Sequence, residues 1–100
     1  MTEAVEITTF RLADGVDMEG FIAANADINA WLKTQPGFLS RRICQREDGI
    51  VVDMLIWASA QDGHRAADGI MIEMAASPVH VAIDQATVDW SIAKVRFALG

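Results

Sequence analysis

The run at 50–57, Ile-Val-Val-Asp-Met-Leu-Ile-Trp, constrains the fold more than any other stretch of this chain. Successive side chains of a strand point to opposite faces. One face therefore carries Ile50, Val52, Met54 and Ile56, all apolar, and the other carries Val51, Asp53, Leu55 and Trp57, apolar but for one carboxylate. A strand that is apolar on both sides must be covered on both sides. The first set suits packing against helices. The second, with Asp53 inside it, suits a covered surface with a polar feature, such as a cavity formed with a second copy of the chain.

The flanking sequence supplies the other elements. Residues 5–12 mix β-branched and aromatic side chains and stop at Ala13-Asp14-Gly15, which reads as a first strand and turn. Asp17 is placed as an N-cap, and Met18, Phe21, Ile22, Ile28, Trp31 and Leu32 recur at helical spacing, which predicts one helix over 18–34. Gln35-Pro36-Gly37 ends it, because proline bars its predecessor from the α region. Residues 38–46 and 50–57 then form a hairpin about Glu47-Asp48-Gly49. A two-residue turn at Asp48-Gly49 would set Ser40, Arg42 and Cys44 on the face of Asp53 and Trp57, whereas a three-residue turn would reverse that assignment.

Ser59 with Asp62 three residues on marks the start of a second helix over 60–75, with Ala67, Ile70, Met71 and Met74 on its apolar side. Gly63 and Gly69 each weaken that helix by roughly 1 kcal/mol relative to alanine. Ser77-Pro78 opens a short helical turn over 79–83, and 87–97 form the last strand. The order βαββαβ predicts an α+β, ferredoxin-like fold over residues 1–100 as one domain, a four-stranded antiparallel sheet with two helices on one face.

Composition bounds the partners. At 52% hydrophobic residues, a chain of 100 residues has more apolar surface than a small monomer readily buries, so self-association is expected. A net charge of −6 repels phosphate backbones and anionic lipid, which argues against nucleic acid and membrane partners. Cys44 is the single cysteine and cannot form an internal disulfide, and the first ten residues lack a signal peptide's pattern, so a cytoplasmic protein is expected. No CxxC, HExxH, GxGxxG, P-loop or GxSxG occurs, so no metal site or cofactor is demanded.

Several stretches together resemble the dimeric α/β-barrel superfamily, specifically its antibiotic-biosynthesis-monooxygenase-like (ABM-like) domains. They are Thr9-Phe10-Arg11 before the Gly15 turn, Gln35-Pro36-Gly37-Phe38, Asp48-Gly49, the strand ending Asp53 to Trp57 followed by Ser59, the alanines of the second helix, and Ser77-Pro78. The resemblance covers nearly the whole chain and implies two sheets paired face to face into a barrel, hence a homodimer. Relatives include cofactor-free oxygenases that turn polycyclic phenols into quinones, and haem-degrading proteins. In the former a strand-end tryptophan, an asparagine and an arginine line the cavity. Trp57 matches such a position, while Asn25 and Asn29 fall on the first helix rather than on the barrel wall. In the haem-degrading relatives a second-helix histidine binds iron, and neither His64 nor His80 has that spacing.

The expected function is therefore binding of a small apolar or aromatic molecule, with cofactor-independent monooxygenation as the reaction and a non-catalytic binding or assembly module as the alternative. Trp57 would stack on a planar substrate, with Leu55 and Val51 beside it. Asp53 is either a general base or half of an ion pair with Arg42 across the hairpin. Arg42 would otherwise stabilise a developing oxyanion. His80 is a second candidate for proton transfer, at the cavity mouth. Trp31 and Trp90 read as packing residues, and Cys44 as a buried inert thiol.

Overall fold

A computed structural model describes residues 2–100. Its elements are β1 (Ala4–Leu12), α1 (Met18–Ala24), α2 (Ala26–Leu32), β2 (Phe38–Gln45), β3 (Val51–Trp57), α3 (Ala60–Glu73), a 3-10 turn (His80–Ala82) and β4 (Ile83–Lys94). The strands form an antiparallel sheet in the order β2-β3-β1-β4, the ferredoxin-like arrangement expected. Phe21, Ile28 and Leu32 from the first two helices and Ala66 from α3 join Phe10, Val51, Leu55 and Trp57 of the sheet in one core cluster.

This core reverses the expected roles of the two faces of β3. Val51, Asp53, Leu55 and Trp57 all lie under the helices and are buried, while Val52, Met54 and Ile56 lie on the opposite face and are only half-buried. Val5, Ile7 and Thr9 of β1 share that opposite face through their pairing with Ile56, Met54 and Val52. The reason is volume. Trp57 is wholly buried and meets Phe38 edge-on at 5.6 Å between ring centroids, which only the thick helix-covered layer allows.

The hairpin register is the second correction. The loop is the three residues Glu47, Asp48 and Gly49: Arg46 N donates to Ile50 O at 2.8 Å, and Gly49 N to Arg46 O at 3.0 Å. Gly49 takes φ +90°, the left-handed residue that such a turn requires. Arg41 thus pairs with Leu55 and Ile43 with Asp53. Arg41, not Arg42, shares the face of Asp53, because a slip of one residue moves every side chain to the other side.

The helix expected over 18–34 is broken at Asn25 (φ −91°, ψ 3°). Its side-chain Nδ2 donates to Phe21 O at 2.8 Å, so the amide competes with the helical backbone ladder as asparagines do. The break leaves Ile22 54% exposed and off the buried stripe. In α3 the buried residues are Gly63 and Ala66, with Ile70 and Met74 packed on the core, whereas Met71 is exposed. Gly63 is there for space: a Cβ at this position would lie 2.9 Å from Ile92 Cδ1 and 3.0 Å from Trp57 Cδ1. The last strand begins at Ile83 rather than at 87, and ends at Lys94, with its pairing to β1 shifted between Thr9 and Arg11.

Candidate functional site

Between the sheet and the helices lies a cavity of about 450 Å³. Its floor can be read from strand pairing. Leu55 pairs with Arg41 on one side and with Glu6 on the other, and Glu6 pairs with Ile92. Neighbouring strands are spaced about 4.8 Å apart, so Arg41 and Glu6 stand roughly 10 Å apart across the apolar Leu55. The walls include Trp31 from α2, Trp57 from β3, Trp90 from β4, and Ala67, Ile70 and Met71 from α3. All three tryptophans of the chain converge on this one space.

At the first polar end, Arg41 Nε and NH2 clasp Asp53 Oδ1 and Oδ2 at 3.0 and 2.6 Å. The same guanidinium donates through NH2 to Asn25 Oδ1 at 2.8 Å and through NH1 to Asn29 Oδ1 at 2.7 Å. Four of its five N–H groups are therefore engaged, leaving one NH1 hydrogen. The Arg41 and Asp53 side chains are each 11% exposed, so this two-point pair sits where water screens it little. The helix break serves this network, since Asn25 caps Phe21 O with its amide nitrogen while its oxygen faces Arg41.

At the second end, Glu6 is held by two indoles. Trp57 Nε1 donates to Oε1 at 2.8 Å, and Trp90 Nε1 donates to Oε2 at 2.6 Å. Glu6 is 8% exposed, and among the described residues no Lys, Arg or His lies within ion-pair distance of it. A carboxylate offers about four lone-pair positions and the indoles use two. The remainder can accept a hydrogen bond from a ligand in the cavity.

Asp53, Leu55 and Trp57 all line the cavity. Val51 is fully buried in the core and does not line it. Arg42 lies on the opposite sheet face, exposed, with NH1 donating to Arg41 O at 2.9 Å, so it cannot pair with Asp53. His80 is tied by Nε2 to Met74 O at 2.8 Å, away from the cavity. Cys44 is exposed on the outer face, not buried. Trp31 and Trp90 are cavity walls as well as packing residues, and the Trp31 Nε1 is buried with no partner among the described residues. Glu6 was not singled out from the sequence, although its parity with Ala4, Thr8 and Phe10 on the first strand was a usable signal: a carboxylate in line with a core phenylalanine.

Sheet order, helix-covered cavity and tryptophan lining define a small α+β protein with a candidate ligand site. No protein-family model matches the chain, and no curated protein matches it. Among solved structures it is similar to SnoaB, a cofactor-independent oxygenase from Streptomyces nogalater, with TM-score 0.75 and 18% identity over 99% of this chain and 98% of that one. It is similar also to a monooxygenase from the gene ActVA-Orf6 of Streptomyces coelicolor, in complex with the ligand nanaomycin D: TM-score 0.73, 22% identity, 98% and 91% covered. A third similar structure is the heme-degrader MhuD from Mycobacterium tuberculosis with two hemes bound in its active site: TM-score 0.75, 18% identity, 97% and 99% covered. The fold of this chain is the ferredoxin-like α+β fold of these structures. Among the described residues no helix is long and apolar enough to cross a membrane.

Proposed function

We propose that this chain is a cofactor-independent monooxygenase that binds a flat, electron-rich aromatic or enolic molecule in the helix-side cavity and works as a cytoplasmic homodimer. The observation that carries the reading is the pair of polar ends, Arg41–Asp53 and Glu6, set on either side of Leu55 in a space walled by three tryptophans. A two-ring substrate would span it, with a hydroxyl at the Arg41 end. Asp53 retains free lone pairs and takes the hydroxyl proton, and the free N–H of Arg41 donates to the oxyanion that forms, the role first assigned to Arg42. The anion passes one electron to O2, the resulting radical pair joins at a ring carbon, and loss of water converts that C–H to a carbonyl. One O2 is consumed and one water released, with the substrate as the reductant. The indoles exclude bulk water and orient the ring. Dimerisation rests on the outer sheet face, where Val5, Ile7, Val52, Met54 and Ile56 are only half-buried.

No step is routed through haem. A histidine would be the side chain to hold haem iron here, and neither histidine lines the cavity: His64 is exposed on α3, edge-on to Trp90 at 5.7 Å, and His80 is engaged by Met74 O. The test is oxygen uptake with hydroxynaphthalene and hydroxyanthracene substrates, followed by quinone absorbance. Uptake that falls in Asp53→Asn and Trp57→Phe, both checked for folding by circular dichroism, supports the reading. Uptake unchanged by both substitutions, or absent with every phenol, overturns it. One observation favours a second reading, binding without turnover: both Asp53 oxygens are already engaged by Arg41, as in a structural ion pair. That reading predicts a ligand-dependent rise in Tm with no oxygen uptake.

A further inference from the structure

Glu6 marks one polar end of the cavity but takes no part in the proton and electron transfers just proposed, and it is the most unusual charged group in the molecule. A buried carboxylate normally finds a cation or loses its charge, because burying an unpaired ion is costly. Glu6 instead has two indole N–H donors and no cation at ion-pair distance among the described residues. The surrounding lining does not neutralise it. Three carboxylates, Glu6, Asp53 and Asp68, line the cavity against the single guanidinium of Arg41, a balance of −2, and Arg41 is already committed to Asp53. The chain as a whole adds to that field with its net −6.

The two indoles that bind Glu6 are themselves cavity walls. An N–H donated to an anion pushes electron density back into the ring, which deepens the negative potential over its face. Tryptophan is already the strongest aromatic partner for a cation. Trp90, 41% exposed, offers an open indole face beside the Glu6 carboxylate, and Trp31 is a further wall of the same cavity.

We propose that the Glu6 end of the cavity is a subsite for an organic cation, a protonated amine or quaternary ammonium carried on the aromatic body of the ligand. The inference rests on the oxygenase reading only for the aromatic body, since the charge preference follows from Glu6 and the tryptophans. Its consequence is a substrate class: amine-bearing aromatics are favoured, and aromatic carboxylates, repelled by the net −2 of the lining, are rejected.

The experiment compares binding of naphthylmethylammonium, naphthylmethanol and naphthoate to the intact protein by calorimetry and by quenching of tryptophan fluorescence. The ammonium is expected to bind at least about tenfold more tightly than the alcohol, and the carboxylate more weakly than either. In Glu6→Gln, checked for folding by circular dichroism, the ammonium-to-alcohol preference should fall below about threefold. A preference under tenfold in the unmodified protein, a carboxylate that binds best, or a preference that survives in Glu6→Gln overturns the proposal. If the variant does not fold, the charge series on the unmodified protein decides alone. Failure of the oxygenase reading looks different: cation preference without oxygen uptake from any hydroxynaphthalene removes the reaction and leaves the subsite. Absence of binding by all three probes overturns both.

Discussion

Replacing Arg41 by Gln, with Arg42→Gln as its neighbour and control, separates the observed hairpin register from its one-residue alternative. In the observed register Arg41→Gln leaves the Asp53 carboxylate buried without its cation and removes the donors to Asn25 Oδ1 and Asn29 Oδ1. Breaking a buried pair in this way costs about 3–5 kcal/mol, a large share of the roughly 5–15 kcal/mol that holds a small protein folded. At about 4–8 °C per kcal/mol for a chain of this size, Tm should drop by more than about 12 °C. Arg42 is exposed and its guanidinium meets only the Arg41 carbonyl, so Arg42→Gln should stay within about 0.5 kcal/mol of the unmodified protein. The double variant Arg41→Gln/Asp53→Asn should recover part of the loss, with a coupling of about 0.5–3 kcal/mol, because the uncompensated charge is gone. Urea denaturation followed by far-ultraviolet circular dichroism reads these proteins together with Asp53→Asn, which closes the cycle. Equal costs for the two single variants, or a larger cost for Arg42→Gln, would refute both the register and the placement of the polar end of the cavity.

Gly63→Ala should destabilise the protein by about 1 kcal/mol in thermal unfolding even though alanine is the better helix former, since overpacking against Ile92 and Trp57 outweighs a propensity gain of about 1 kcal/mol; a rise in Tm would mean that α3 sits farther from the sheet. Trp57→Phe removes the donor to Glu6 Oε1 and should cost about 1–3 kcal/mol by urea denaturation, with weaker binding of aromatic ligands in calorimetry. The proposed pairing of outer sheet faces predicts a dimer in light scattering that Met54→Glu, on that face, converts to monomer. Asp17→Ala removes the cap on Gly20 N, a 2.8 Å bond, and should cost about 1 kcal/mol in the same denaturation series.

Much of the fold was legible because its signals are local. β-Branched and aromatic composition marked β1 and period-two alternation marked β3, Pro36-Gly37 separated helix from strand, and Ser59 with Asp62 began α3 where the structure begins it, with Ser59 Oγ accepting from Asp62 N at 3.2 Å. The site was less legible. Asp53, Leu55 and Trp57 were recognisable as a polar and aromatic feature inside an apolar strand, but their arginine partner depended on one residue of loop length. Asn25 was visible only as a poor helix former, and nothing local tied it to Arg41, sixteen positions away.

The sequence by itself determined the order of strands and helices, apart from the helix break at Asn25 and the start of the last strand, because backbone preference and side-chain alternation act over a few residues. The tertiary structure alone decided which face of the sheet meets the helices, since both faces of β3 are apolar and only the packing of Trp57 under Gly63 distinguishes them. It also decided what Glu6 is. The two indoles that hold its carboxylate come from positions 51 and 84 residues farther along the chain, and no local pattern encodes a charge whose partners are brought to it by the sheet and its register.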